Sequence, residues 1–172
     1  MRITQEADYA MRIMCLLAQL ESGELDLTDD SRSNTETDTS CENDECRILG
    51  AAEITARTMV PPRFTLTILR KMVMSGLVES FKGKNGGYKL SKMPDTITMR
   101  DVIEVIDGPV AISRCIDDAH ACSKQGFNKK ECRVHNIFVK LSESVADKLS
   151  KITIADLMSP DISLDELYKL ID

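Results

Sequence analysis

The chain has 172 residues, 42% hydrophobic and 29% charged, with a formal net charge of −6, which suits one folded domain or a small domain with an added dimer-forming element. No apolar run approaches the ~20 residues that a membrane span needs, and the opening "MRITQEADYAMRIM" carries Arg2, Glu6, Asp8 and Arg12, which excludes an uncharged signal core. The expected compartment is therefore the cytoplasm with no membrane partner, where six cysteines point to buried thiols, metal ligation or redox chemistry rather than structural disulfides.

Residues 5–20 predict a first helix, with Ala7, Ala10, Met11, Met14, Cys15, Leu17 and Ala18 at helical spacing and Thr4 as its cap. Periodicity then stops over 22–47, an acidic, Ser/Thr-rich insertion of loop-like composition. Residues 21–46 hold ten acids against Arg32 alone, a local −9, so the rest of the chain is +3. Ala51–Thr58 predicts a short helix. Val60-Pro61 turns the chain, and Pro62 suits the first turn of a second helix running to about Met74, where Ser75-Gly76 ends it. "LVESFKGKNGGYKL" reads as strand, turn and strand, a hairpin.

Beyond Pro94 and Asp95, "TMRDVIEVIDG" predicts another helix with Val102, Val105 and Ile106 inward. From about Arg133 a long helix is expected to run as far as Ser159-Pro160. Its Val134, Phe138, Leu141, Val145, Leu149 and Ile152 are spaced as a seam between two helices. "SLDELYKLI" closes the chain with a capping box from Ser163 to Glu166.

Helix, turn, helix and hairpin over residues 51–91 is the order of a winged helix-turn-helix. Residues 48–92 hold eight Lys or Arg against Glu53 and Glu79, a local +6, so the acidic total conceals a basic module. The second helix is expected to turn Phe64, Ile68, Leu69 and Met72 mainly to the core, leaving Arg63, Thr67, Arg70 and Lys71 outward. Arginine reads guanine edges and lysine neutralises phosphate, so double-stranded DNA is the expected partner. Lys82 and Lys84 sit on the Gly-rich hairpin tip, suited to a minor groove or a phosphate run.

Half of the cysteines fall in a polar stretch, Cys115-x6-Cys122-x9-Cys132-x2-His135. Three converging thiolates can hold zinc or an iron–sulfur cluster, and the long spacings lack the tight knuckle of most zinc folds. Spacing alone leaves zinc, a cluster and three unrelated thiols open. His120 reads as a loop residue, Cys15 as a core thiol, and Cys41 and Cys46 as thiols of the acidic insertion.

"MRITQEADYAMRIM", "VPPRFTLTILRKMVMSGLVES" and "FKGKNGGYKL" resemble the Rrf-two (BadM-type) family of bacterial transcription regulators, from Met1 to about Met158 apart from the acidic insertion. The resemblance implies a mainly helical fold with a small β-hairpin wing, a winged helix-turn-helix domain plus a long dimerisation helix. It implies that Arg63, Phe64, Leu66 and Thr67 face a major groove and that Lys82 lies in the wing. It also implies an iron–sulfur cluster on Cys115, Cys122 and Cys132, 2Fe–2S or 4Fe–4S. The fourth ligand would be His135, or Asp8 supplied across the dimer. The bland readings are that His135 packs the long helix and that Asp8 pairs with Arg12 one turn on.

The expected organisation is a DNA-binding domain over 1–92 with its insertion at 22–47. A linker helix and ligand loop follow over 93–132, then a dimerisation helix and tail over 133–172. The expected function is a homodimeric regulator, a repressor or activator, that senses iron, redox state or nitric oxide. A zinc-stabilised or metal-free regulator answering to a partner protein is the alternative, and an electron-transfer protein is a weaker one. No catalytic set is evident, and "KGKNGG" lies in a hairpin, the wrong context for a phosphate-cradling loop. The acidic insertion should repel DNA phosphate. Deleting residues 24–46 should therefore tighten nonspecific duplex binding at low salt, and an unchanged affinity in a titration would place the insertion away from DNA.

Overall fold

The computed structural model describes residues 3–23, 48–83, 86–116 and 131–171. The acidic segment with Cys41 and Cys46, the hairpin residue Lys84, and His120 and Cys122 lie outside the described residues. In chain order the elements are α1 (Gln5–Ser22), α2 (Ala51–Thr58), α3 (Pro62–Met74), β1 (Val78–Phe81), β2 (Gly87–Leu90), α4 (Met99–Asp107), α5 (Arg133–Ser150), α6 (Ile154–Met158) and α7 (Leu164–Ile171). Short 3₁₀ turns at Pro94–Thr96 and Arg114–Ile116 flank α4.

Helix α1 begins where the Thr4 hydroxyl accepts from the Ala7 N–H at 3.3 Å, and it ends at Gly23 in the left-handed region. Its burial is wider than the stripe read from spacing, because Ile13, Leu16 and Leu20 are also withdrawn from solvent. The cause is its place in the fold: α2, α3, α4, α6 and β2 all pack on it. A helix contacted on several sides needs apolar residues on more than one stripe.

Helices α2 and α3 are bolted by a chain of hydroxyls. Thr55 Oγ1 donates to Thr65 Oγ1 at 3.1 Å, and Thr65 Oγ1 donates to the Val60 carbonyl at 3.4 Å. Thr65 is fully buried, as are Ile68, Leu69 and Met72. Phe64, expected in the core, is instead 39% exposed, because Thr65 holds the inward position and the neighbouring residue is rotated about 100° around the helix. The turn between the two helices is made by Met59, a non-glycine residue at φ 58° whose side chain points to solvent.

In the hairpin β1 pairs antiparallel with β2, Val78 opposite Leu90 and Phe81 opposite Gly87. Leu49 adds a bridge to Tyr88 through two backbone hydrogen bonds of 3.0 and 2.9 Å. A Cβ on Gly87 would fall 2.6 Å from the Leu49 carbonyl oxygen, so the second glycine of "NGGY" is what lets the two backbones approach.

Past the hairpin, two capping boxes start α4 and α6: Thr98 with Asp101, and Thr153 with Asp156. Met99 N–H donates to the Ile152 carbonyl and Ile154 N–H to the Ile97 carbonyl, at 2.9 and 2.8 Å. Ile97, Val102 and Ile154 join the same core as α1 and α3. This corrects the expected end of the long helix. Helix α5 stops at Ser150, and Thr153 starts α6, the element that ends at the Ser159-Pro160 step.

Helix α5 packs on α4, on the 3₁₀ turn at Arg114–Ile116 and on α7. The expected seam divides between two faces: Ser142 and Ala146 are buried with Phe138, Val145 and Leu149 half-buried beside them, while Val134, Ile137 and Leu141 remain exposed. Ser163 and Glu166 form the expected reciprocal cap at α7. Among the described residues no helix is long and apolar enough to cross a membrane. Since a left-handed non-glycine residue costs roughly 1 kcal/mol and the exposed Met59 side chain recovers little of it, Met59→Gly should stabilise the protein by about 0.5 kcal/mol, read as a raised urea midpoint at unchanged slope.

Candidate nucleic-acid interface and thiol site

Burial of one face of α3 leaves Arg63, Leu66, Thr67 and Arg70 exposed on the other. Neither arginine has an ion-pair partner among the described residues, so both guanidinium forks are available for planar recognition. Thr67 Oγ1 donates to the Arg63 carbonyl at 2.9 Å, which leaves the hydroxyl's lone pairs outward as acceptors. The ring of Phe64 meets Tyr9 of α1 edge-on, with centroids 5.6 Å apart. Tyr9 in turn accepts from Gln5 Nε2 at 2.7 Å and lies 5.8 Å from the Arg12 guanidinium. Phe64 is thus an outward residue held from behind by α1.

Lys71 is placed differently from the other basic residues of α3. Its ammonium lies 2.8 Å from Glu6 Oε1 of α1 and donates to the Ile106 carbonyl of α4 at 3.5 Å. That oxygen of Glu6 is shielded from solvent and takes no well-directed hydrogen bond among the described residues, so the nearby ammonium is what offsets its desolvation. In the hairpin, Lys82 is exposed just past β1 and Lys84 lies outside the described residues. Lys89 is internal to the hairpin, 5.3 Å from the Phe81 ring centroid and 3.7 Å from Glu79.

Of the three expected thiol ligands the structure describes Cys115 and Cys132, both half-buried and free. Cys115 lies in the 3₁₀ turn that packs on α5; its Sγ accepts from the Ser113 hydroxyl at 3.2 Å. The preceding Ile112 N–H donates to Ser142 Oγ of α5 at 3.0 Å. Cys132 is the N-cap of α5, its sulfur accepting from the His135 N–H at 3.5 Å. His135 Nδ1 is shielded from solvent and has no hydrogen-bond partner among the described residues. Asp8 pairs with Arg12 at 2.8 Å, both about half-exposed. The described residues contain no group of three or more His, Cys, Asp or Glu converged on one point, and Cys122 is not among them.

Several features escaped the sequence reading. Glu6 and Ile106 meet Lys71 only through the packing of α1, α3 and α4, for which no local signal exists. The same holds for the Thr4 hydroxyl, which donates to the Asp107 carboxylate at the end of α4. Ile137 could have been found, since it sits three residues from Val134 and four from Leu141 on one helical face.

An apolar-backed helix with an outward basic face, entered through a tight turn and followed by a basic hairpin, defines the class of winged helix-turn-helix proteins. The model of the Rrf2 family, described as iron-dependent transcriptional regulator, matches residues 39–160, and the chain belongs to that family. An rrf2-like HTH-type transcriptional regulator of Rhodobacter capsulatus is 27% identical over 158 residues, covering 91% of this chain and 92% of that protein. The IscR regulator of Erwinia tasmaniensis is 31% identical over 63% of this chain and 62% of its own. Among solved structures, CymR, titled the global cysteine regulator of B. subtilis, superposes with a TM-score of 0.60 at 22% identity, covering 92% of this chain and 96% of that one. These relatives are transcriptional regulators rather than enzymes.

Burial pushes the Cys15 thiol up from 9.0 to about 11, which lowers its thiolate fraction at pH 8 about a hundredfold. Iodoacetamide at that pH should alkylate Cys115 and Cys132 of the cofactor-free native protein and leave Cys15 unmodified until denaturation, as read by peptide mass.

Proposed function

We propose that this regulator is a homodimer whose affinity for a palindromic operator depends on an iron–sulfur cluster held by Cys115, Cys122 and Cys132, with His135 as the fourth ligand. The observation that supports it best is the first turn of α5. Cys132 and His135 share that turn, and a shielded imidazole nitrogen there has no hydrogen-bond partner among the described residues. Such a buried atom costs about 1–3 kcal/mol unless something binds it, and a metal ion does so. Asp8, the other candidate, already has Arg12 on one carboxylate oxygen, which competes with ligation.

A bound cluster would supply iron chemistry responsive to oxidation state, nitric oxide and iron supply. The chain's own residues do the rest. Ser113 steadies the Cys115 sulfur, Ile112 ties the Cys115 segment to Ser142 of α5, and Cys132 caps the start of α5. Cys115, Cys132 and His135 therefore lie against or on α5, the proposed dimerisation helix. Order in that segment selects the geometry in which the 1–92 modules are held. The exposed stripe of Val134, Ile137 and Leu141 suits a second copy of the chain, which would place two α3 helices about one duplex turn apart. In this reading Arg63 and Thr67 read bases, and Phe64 and Leu66 offer apolar contact to thymine methyl groups. Arg70, Lys82 and Lys84 neutralise phosphates.

The test is anaerobic purification with a visible spectrum and iron, sulfide and zinc analysis. Iron and sulfide with visible absorbance are expected, and Cys132→Ser should lose both while keeping the helix cap. Colourless protein containing zinc, or no metal, overturns the cluster in favour of the alternative regulators. In operator titrations Arg63→Ala should cost about 1–3 kcal/mol and relax base preference, whereas Arg70→Ala should weaken all sequences alike and lower the salt slope by about one.

A further inference from the structure

Five residues close a ring through three elements outside the DNA face and the ligand set. Lys71 of α3 joins Glu6 of α1 at 2.8 Å and the Ile106 carbonyl of α4 at 3.5 Å. Two residues before Glu6, Thr4 gives its N–H at 3.0 Å and its hydroxyl to the carboxylate of Asp107, the residue after Ile106. The ring thus grips the last turn of α4 twice: a cation on its carbonyl end, where the helix dipole is negative, and two donors on its final side chain. Gly108, at φ 83°, follows at once, and the chain runs from it through the Ile112 anchor to Cys115.

We infer that Lys71 is a positioning residue, the joint through which the state of the Cys115 segment sets the angle of the recognition helix, and not a phosphate contact. This rests on the cluster-sensing reading above. Three facts on the page carry it. The lysine is the one basic residue of α3 whose ammonium is already committed to other elements, whereas Arg63 and Arg70 have no ion-pair partner among the described residues. Its partners lie on α1, which backs Phe64 through Tyr9, and on α4, which leads to Cys115. The core under α3 is made by Ile68, Leu69 and Met72, so loss of the ring leaves the helix folded and frees only its setting.

The experiment compares operator affinity of the cluster-loaded and cluster-free full-length protein by fluorescence anisotropy. The variants are Lys71→Met, Lys71→Arg, Glu6→Gln and, as control, Lys151→Met. The wild type should show a loaded-to-free ratio in the range of about 5- to 150-fold typical of coupled sites. Lys71→Met and Glu6→Gln should each bring that ratio to within about threefold of one while still unfolding in a single cooperative transition, and Lys71→Arg and Lys151→Met keep it. If Lys71→Met instead weakens both forms equally and lowers the salt slope by about one, with the Glu6→Gln ratio intact, Lys71 is a phosphate contact and the inference falls. A wild-type ratio of one would sink the sensing reading itself. The joint is then decided on the cluster-free protein by hydrogen exchange: Lys71→Met must speed the amides of residues 106–113 and Lys151→Met must not, and unchanged exchange there overturns it.

Discussion

Burial of Ile68, Leu69 and Met72 of α3 against α1 is the contact on which the other features depend. Each such side chain contributes about 1.5–3 kcal/mol on leaving water, whereas an exposed ion pair contributes about 0.2–1 kcal/mol. Apolar packing therefore decides which half of α3 faces inward, and the outward half follows by helical geometry. Arg63, Leu66, Thr67 and Arg70 occupy that half because the core has taken the rest. The ion pairs and helix-end contacts around α3 are weaker by comparison, which suits them to adjusting the helix rather than holding it.

The second constraint is the return of the chain to its own core. Ile97 and Ile154 are fully buried, and backbone hydrogen bonds join the segments before α4 and α6. The described residues between α4 and α6, the Cys115 turn and α5 among them, form an excursion anchored at both ends. Such an excursion can expose Val134, Ile137 and Leu141 along one helix face without cost to the core. The same anchoring leaves the Cys115 turn and the Cys132 cap resting on α5, with the end of α4 at one side. A change in that segment has a short mechanical route to α3, through the last turn of α4 and the side chain of Lys71.

The chemistry of the thiols follows their surroundings. Cys15 is partly buried against the core, and that burial raises its thiol pKa to about 11, so little of it is thiolate near neutral pH. Cys115 and Cys132 are half-buried, with a hydroxyl and a backbone N–H already pointing at their sulfurs.

Much of this architecture was legible in the sequence, because its signals act within four or five residues. Thr4 and Ser163 mark helix starts, Gly76 marks an end, and the helical spacing of apolar residues gives α1, α3 and α4. The two glycines before Tyr88 mark the hairpin. What the sequence could not decide were angles and partners. Phe64 and Thr65 are adjacent, and only the crossing of α1 under α3 chose Thr65 for the interior. Thr153 could have been a residue within one long helix, and only pairing of its segment with the one before α4 made it a cap. Lys71 looked like its basic neighbours until α1 and α4 brought a carboxylate and a carbonyl to it. Local propensity and periodicity are properties of a short stretch, but the partner of an outward side chain is set by packing between elements remote in the chain, so the tertiary structure alone assigned it.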